Sequence, residues 1–226
     1  MSTRDEEKAA AARRSLEYIQ PGMVVGLGSG STATLAIRQI GEQVSRGLKI
    51  RGIPTSKTSQ TLAQSLGIPL LTLDDVDAID VTIDGADEIA PGLQLIKGGG
   101  GFLLHEKIVA ASSKRLVIVA DQQKKVAELG RFPLPVEVVR FAAAPVRRKL
   151  QAMKANPELR SGSDGKPYVT DEGNFIFDCS FGRIPDAAAT ARELKSIPGV
   201  VEHGLFLGMA SLAIVAGPGG IEILTV

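Results

Sequence analysis

Short apolar runs alternate with stretches of helical periodicity over residues 1–120, and this alternation constrains the fold more than any other feature of the chain. Residues 23–27, 48–53, 69–73, 81–83 and 116–120 read as strands, with 33–43, 58–66 and 102–111 as the intervening helices. Strands that alternate with helices in this way argue for βαβ units and a mainly parallel sheet flanked by helices. Ahead of them, Thr3 and Glu6 have the spacing of a capping box, and Pro21-Gly22 predicts that the first helix stops near Gln20.

The pattern changes near Gly130. Phe132-Pro133-Leu134-Pro135 leads into a strand over 136–139 and then a helix with Pro145 near its first turn. Residues 168–170 and 175–179 read as a hairpin around Asp171-Glu172-Gly173-Asn174; a helix over 187–194 and a strand from Val200 follow. That β-α-β-β-α-β order predicts a small ferredoxin-like α+β unit. The apolar tail from Leu205 is expected to rejoin the large sheet. The predicted architecture is therefore a Rossmann-like α/β domain over 1–130 and 206–226, with a smaller α+β domain over 131–205.

Composition removes several classes of function. Lys and Arg number 26 against 25 Asp and Glu, so no basic excess invites a nucleic acid. Aromatics are 4% with no Trp, which argues against a base-stacking platform. One cysteine, Cys179, rules out an internal disulfide framework or a thiolate metal cage and fits a reducing cytosol. The charged N-terminus lacks the apolar segment of a signal peptide, and the apolar stretch 205–224 is broken by glycines, Pro218 and Glu222. A cytoplasmic protein with no membrane partner is the expectation.

Chemistry concentrates in three segments, the first two directly after predicted strands, where open α/β sheets place ligands. Gly26-Leu27-Gly28-Ser29-Gly30-Ser31-Thr32 joins glycines to a helix start rich in hydroxyls, suited to a phosphate or to a tight strand-to-helix turn. It lacks the Gly-Lys-Ser/Thr of a Walker loop, and the next strand ends without a carboxylate for a dinucleotide ribose. Asp84-Gly85-Ala86-Asp87-Glu88 can bind sugar hydroxyls, cap a helix or form a solvated turn; with no imidazole nearby, a metal is the weakest of its options. Lys97-Gly98-Gly99-Gly100-Gly101 precedes a helix carrying His105, Glu106 and Lys107. Four consecutive glycines sacrifice backbone entropy, about 1 kcal/mol each in regular structure, and imply close approach of a ligand to the backbone.

In this order and spacing the segments resemble ribose-5-phosphate isomerase of the A type. The likeness extends through Ala120-Asp121-x-x-Lys124, residues 132–138, Thr170-Asp171-x-Gly173-Asn174, residues 197–201 and Gly204-Leu205-Phe206, so it spans nearly the whole chain. The resemblance implies aldose–ketose isomerisation of D-ribose 5-phosphate and D-ribulose 5-phosphate, without metal or organic cofactor, by a dimer or tetramer. It makes Glu106 the base that moves a proton between C2 and C1, Lys97 the partner of the ene-diolate charge, and Asp84 and Asp87 the contacts to hydroxyls. Ser29, Gly30, Ser31, Thr32, Gly85, Ala86, Gly98, Gly99, Gly100 and Lys124 fall on substrate-binding positions, with Lys8 a further candidate. The chemistry is coherent on its own terms, because a base that removes an α-proton needs a partner for the developing oxyanion. Ser29, His105 and Ser211 depart from the residues usual in the family.

Two rivals share such a scaffold. A sugar-phosphate-sensing domain of a transcription regulator is disfavoured by the lack of a basic helix-turn-helix and by the presence of both Lys97 and Glu106. An acyl-CoA transferase-like enzyme would use a glutamate as nucleophile, and would be trapped as an acyl-enzyme.

Overall fold

The computed structural model describes residues 3–226; Met1 and Ser2, the start of the charged N-terminal segment, lie outside the described residues. Thr3 caps helix α1 (Arg4–Ser15) through both halves of the capping box, accepting from the Glu6 N–H at 3.3 Å while Glu6 accepts from the Thr3 N–H at 2.6 Å. The helix ends before Gln20, in a 3-10 turn over Leu16–Tyr18. Then come β1 (Val24–Leu27), α2 (Ser31–Ser45), β2 (Arg51–Pro54), α3 (Lys57–Ser65) and β3 (Val81–Asp84). Two short strands, β4 (Glu88–Ala90) and β5 (Gln94–Ile96), precede α4 (Leu103–Ala111) and β6 (Leu116–Asp121).

The remainder comprises β7 (Leu134–Val138), α5 (Ala143–Ala152), β8 (Pro157–Leu159), β9 (Phe175–Cys179), α6 (Ala187–Lys195), β10 (Val200–His203), β11 (Leu205–Phe206), β12 (Leu212–Gly217) and β13 (Gly220–Leu224). The large sheet runs β13-β12-β6-β3-β1-β2 and is parallel except for the closing β12–β13 hairpin. Its inner strands are buried on both faces. On one side Ala11 and Ala12 of α1 and Ala36, Ile37 and Ile40 of α2 pack on Val25, Ile83, Val117 and Ile214. The other face of β6 and β12 is covered by a three-stranded sheet, β11-β5-β4, through Leu95, Ile89 and Phe206. β7 through β10 make a separate antiparallel sheet in the order β10-β7-β9-β8, the ferredoxin-like arrangement. The tail from Leu205 does rejoin the large sheet, by way of β12.

Three local expectations are corrected. Residues 69–73 form no strand: Leu70 makes a single bridge to Gly52. The run ends because Thr72 donates its N–H and hydroxyl to Asp75 Oδ2, both at 2.8 Å, and starts a 3-10 turn over Leu73–Asp75. Residues 168–170 are not the hairpin partner of β9, since β8 fills that role with Leu159 opposite Phe177. Thr170 is drawn into a loop instead, its N–H donating to Asn174 O and its hydroxyl accepting from the Asn174 N–H. Strands β4 and β5 had no signal, being three residues long and without apolar alternation. Among the described residues no helix is long and apolar enough to cross a membrane.

Candidate active site

β1 pairs with β2 on one side and β3 on the other, so the chain reverses its direction of travel across the sheet there. A crevice opens beyond the carboxyl ends of strands at such a reversal. Into it run the two turns that follow β1 and β3. Gly28 makes their contact possible: a Cβ there would lie 2.3 Å from Asp84 Oδ1. Ser29 donates its N–H to that same oxygen at 3.0 Å, and Gly30, at φ +93°, turns the chain into α2 in a conformation open to glycine. No side chain caps the α2 N-terminus, which presents Ser31 and Thr32 to the crevice. The Ser29 hydroxyl points elsewhere, donating to Ser56 Oγ at 2.8 Å and lying 2.8 Å from Thr55 Oγ1.

The three carboxylates of the second turn separate in space. Asp84 is fully buried, with Oδ1 accepting from the N–H groups of Ser29 and Gly85 and Oδ2 2.9 Å from Lys97 Nζ. Asp87 accepts the Gly99 N–H at 2.7 Å and faces Lys124 Nζ at 3.9 Å. Glu88 leaves the crevice altogether. Its two oxygens accept from Gly130 and Phe132 N–H groups at 2.7 Å each, so it is a structural anchor.

Strand β5 delivers Lys97, whose backbone N–H bonds Gly204 O at 2.9 Å. Its ammonium is buried among Gly85 O at 2.7 Å, Asp84 Oδ2 at 2.9 Å and Glu106 Oε2 at 3.2 Å. Burial disfavours that charge, but Asp84 and Glu106 outweigh it and hold the lysine pKa above its ordinary value. For Glu106 the balance falls the other way. Desolvation raises its pKa, Lys97 opposes the rise, and Asp84 and Asp87 add to it, leaving the carboxyl well above the usual glutamate range. Asp84 Oδ2 and Glu106 Oε2 lie at ion-pair distance from Lys97 yet have no well-directed hydrogen bond, so both keep acceptor capacity inside the site.

The glycine run is a turn closed by Gly101 N–H to Gly98 O at 2.9 Å. Its closeness to Asp87 is steric: a Cβ on Gly99 would come within 2.7 Å of Asp87 Oδ1. Residues 29–32, 85–87 and 97–100 line one cleft with Glu106 and Lys124. Asp84 sits behind its wall and reaches it through Lys97.

The other expected candidates fall outside. Lys8 pairs with Asp5 at 3.7 Å and does not line the cleft. His105 lies 2.8 Å from Glu172, and Ser211 accepts the Leu116 N–H at 3.2 Å, so both departures from the family pattern stand away from the cleft. Cys179 is buried, and burial pushes its thiol pKa up. Sequence reasoning missed Arg160, which donates from Nη1 to Gly98 O at 3.1 Å and Gly99 O at 3.2 Å. No local motif marks it, because it lies 62 positions from Gly98.

The family model described as ribose 5-phosphate isomerase A (phosphoriboisomerase A) matches residues 51–220. Ribose-5-phosphate isomerase A of Afipia carboxidovorans is 55% identical over 98% of this chain and 96% of its own length. The protein of that name from a Synechococcus species is 52% identical over 99% of both. Among solved structures, a D-ribose-5-phosphate isomerase in complex with phospho-erythronic acid superposes with a TM-score of 0.97 at 41% identity, covering 100% of both chains. Ribose 5-phosphate isomerase A of Methanocaldococcus jannaschii gives 0.95 at 38% identity, covering 99% of this chain and 100% of its own. With the family model matching most of its length and relatives matching all but its ends, the chain belongs to the ribose 5-phosphate isomerase A family.

Proposed function

We propose that this cleft interconverts D-ribose 5-phosphate and D-ribulose 5-phosphate, the isomerisation of the non-oxidative pentose phosphate pathway. The observation that carries the reading is the pairing of Glu106 with Lys97 at 3.2 Å, buried in a cleft that an uncapped helix N-terminus and Lys124 also line. In the open-chain aldose, Glu106 takes the C2 proton, and the electron pair moves through the C1–C2 bond onto O1. Lys97 meets that charge. As Glu106 becomes neutral it releases its share of the ammonium, which can then turn to the new oxyanion. The O2 hydroxyl proton passes to O1, and the proton held by Glu106 returns to C1, which completes the ketose. Asp87 holds hydroxyls and assists ring opening, Asp84 acts from behind the wall by fixing Lys97, and Ser31, Thr32 and Lys124 receive the phosphate at the α2 N-terminus.

The related structure holding phospho-erythronic acid supports this reading. That acid is a phosphorylated sugar acid whose planar, anionic carboxylate imitates the planar ene-diolate. The residue division 1–130 with 206–226 and 131–205, a cytoplasmic site of action and a homodimer or homotetramer belong to the same proposal. A lone buried thiol supports the compartment, and an almost fully exposed Phe141 supports self-association. The deciding assay follows ribulose 5-phosphate formed from ribose 5-phosphate with chelator present, in deuterated water. Turnover with solvent deuterium entering the product supports the reading; no turnover, or turnover that needs an added divalent ion, defeats it.

A further inference from the structure

We infer that Arg160, from the four-stranded unit, is a positioning residue that aims the Gly100 N–H into the cleft as a second donor for the ene-diolate oxygen. The starting point is a shortage. The Lys97 ammonium donates to Gly85 O and is enclosed by the carboxylates of Asp84 and Glu106 at ion-pair distance. Only the Glu106 contact is relieved by proton transfer, so a further donor at the oxyanion is needed for full stabilisation.

The glycine turn supplies one by geometry. Every peptide bond among the described residues is trans, so the C=O of one residue and the N–H of the next point to opposite edges of their shared plane. Gly98 O accepts from Arg160, and on the opposite edge the Gly99 N–H donates to Asp87, a residue of the cleft wall. Gly99 O also accepts from Arg160 Nη1, at 3.2 Å, which sends the Gly100 N–H toward the same side. The guanidinium is itself fixed. Its Nε and Nη2 form a bidentate pair with Asp178 on β9, and its side chain is 13% exposed. Tyr168 closes the other flank: its ring lies 6.0 Å from the guanidinium, and a Cβ on Gly101 would come within 2.3 Å of its hydroxyl. A planar fork anchored on a strand can hold two consecutive carbonyls in one orientation, which a lysine on the same stem cannot do while also pairing Asp178.

This rests on the isomerase reading, and the two fail separately: wild-type turnover tests the reading, while the Arg160 variants test only the inference. Arg160→Ala is expected to lower kcat about 10²-fold, the scale of a misplaced or missing oxyanion donor, with KM for ribose 5-phosphate unchanged. Affinity for phospho-erythronic acid should fall by the same factor as kcat, affinity for inorganic phosphate should hold, and added guanidinium ion should restore part of kcat. Should Arg160→Ala not fold, Arg160→Lys decides, with the same paired loss of kcat and analogue affinity expected. Retained kcat in the folded variant, or equal loss of analogue and inorganic phosphate binding with no guanidinium rescue, overturns the inference.

Discussion

Glu106 shows how one side chain acquires two properties from its surroundings. On a solvated helix it would be an ordinary carboxylate, but here it is buried beside Asp84, Asp87 and Lys97. Desolvation raises its proton affinity, the lysine limits the rise, and the result is a stronger base than glutamate in water. Glu106→Gln keeps shape and removes basicity, so kcat is expected to fall about 10²–10⁴-fold, or about 3–5 kcal/mol of barrier, with exchange of the C2 proton lost. The pH dependence follows from the sign of the shift. Only deprotonated Glu106 can accept the proton, so activity is lost as pH falls through its raised pKa. The acid limb of kcat/KM should therefore lie above the ordinary glutamate value of 4.5. Asp87→Asn, which removes one of the charges that raise it, should move that limb toward lower pH; a limb at the ordinary value in the wild type would contradict the assigned base.

At the scale of elements, the cleft is made by backbone that side chains cannot enter. The turn after β1 can lie on Asp84 only because residue 28 has no Cβ, and the turn after β5 can lie on Asp87 only because residue 99 has none. Both turns end at helix starts, α2 at Ser31 and α4 at Leu103, whose N-termini favour negative charge. Thr32→Ala removes one hydroxyl from the α2 start without touching the helix core. Its kcat/KM for ribose 5-phosphate is expected to drop about tenfold to a hundredfold, the worth of one hydrogen bond to a charged group. The slow turnover of unphosphorylated ribose should stay the same, and an equal loss on both sugars would mark the loop as structural. Glu88 belongs to this scale as well. It stands in an acidic cluster that looks chemical in sequence, yet it serves to tie the residue 130–132 backbone to β4.

On the scale of the whole molecule, the α+β unit is more than an appendage. Besides Arg160, it sends Asp171 to the Lys57 N–H at the start of α3 and Glu172 to His105 on α4. Lys107, next to Glu106 in sequence, is anchored by Glu202 at 2.9 Å and by the His203 and Leu205 carbonyls. The helix that carries the base is thus held from both units. The same unit exposes Phe141 at 98% and Val139 and Val169 at 43% each, a set of apolar side chains that water covers poorly. Sedimentation equilibrium at micromolar concentration is expected to give a dimer or tetramer, and Phe141→Ser to shift the population toward smaller species. A strictly monomeric wild type would refute that assembly.

What the sequence by itself determined is local. Apolar strands alternating with helices specified the parallel sheet, Thr3 and Glu6 specified the first cap, and three glycine- and carboxylate-rich turns marked the site, because propensity, capping and close backbone approach act over a few residues. Strand pairing at β8 in place of 168–170, the three-residue strands β4 and β5, and the departure of Glu88 from the cleft were decided only in three dimensions. So was Arg160. Arg160 and Glu88 depend on partners tens of positions away, β5 is completed by β11 from the far end of the chain, and the proton affinities of Lys97 and Glu106 arise from a burial that exists only once β3, β5 and α4 meet.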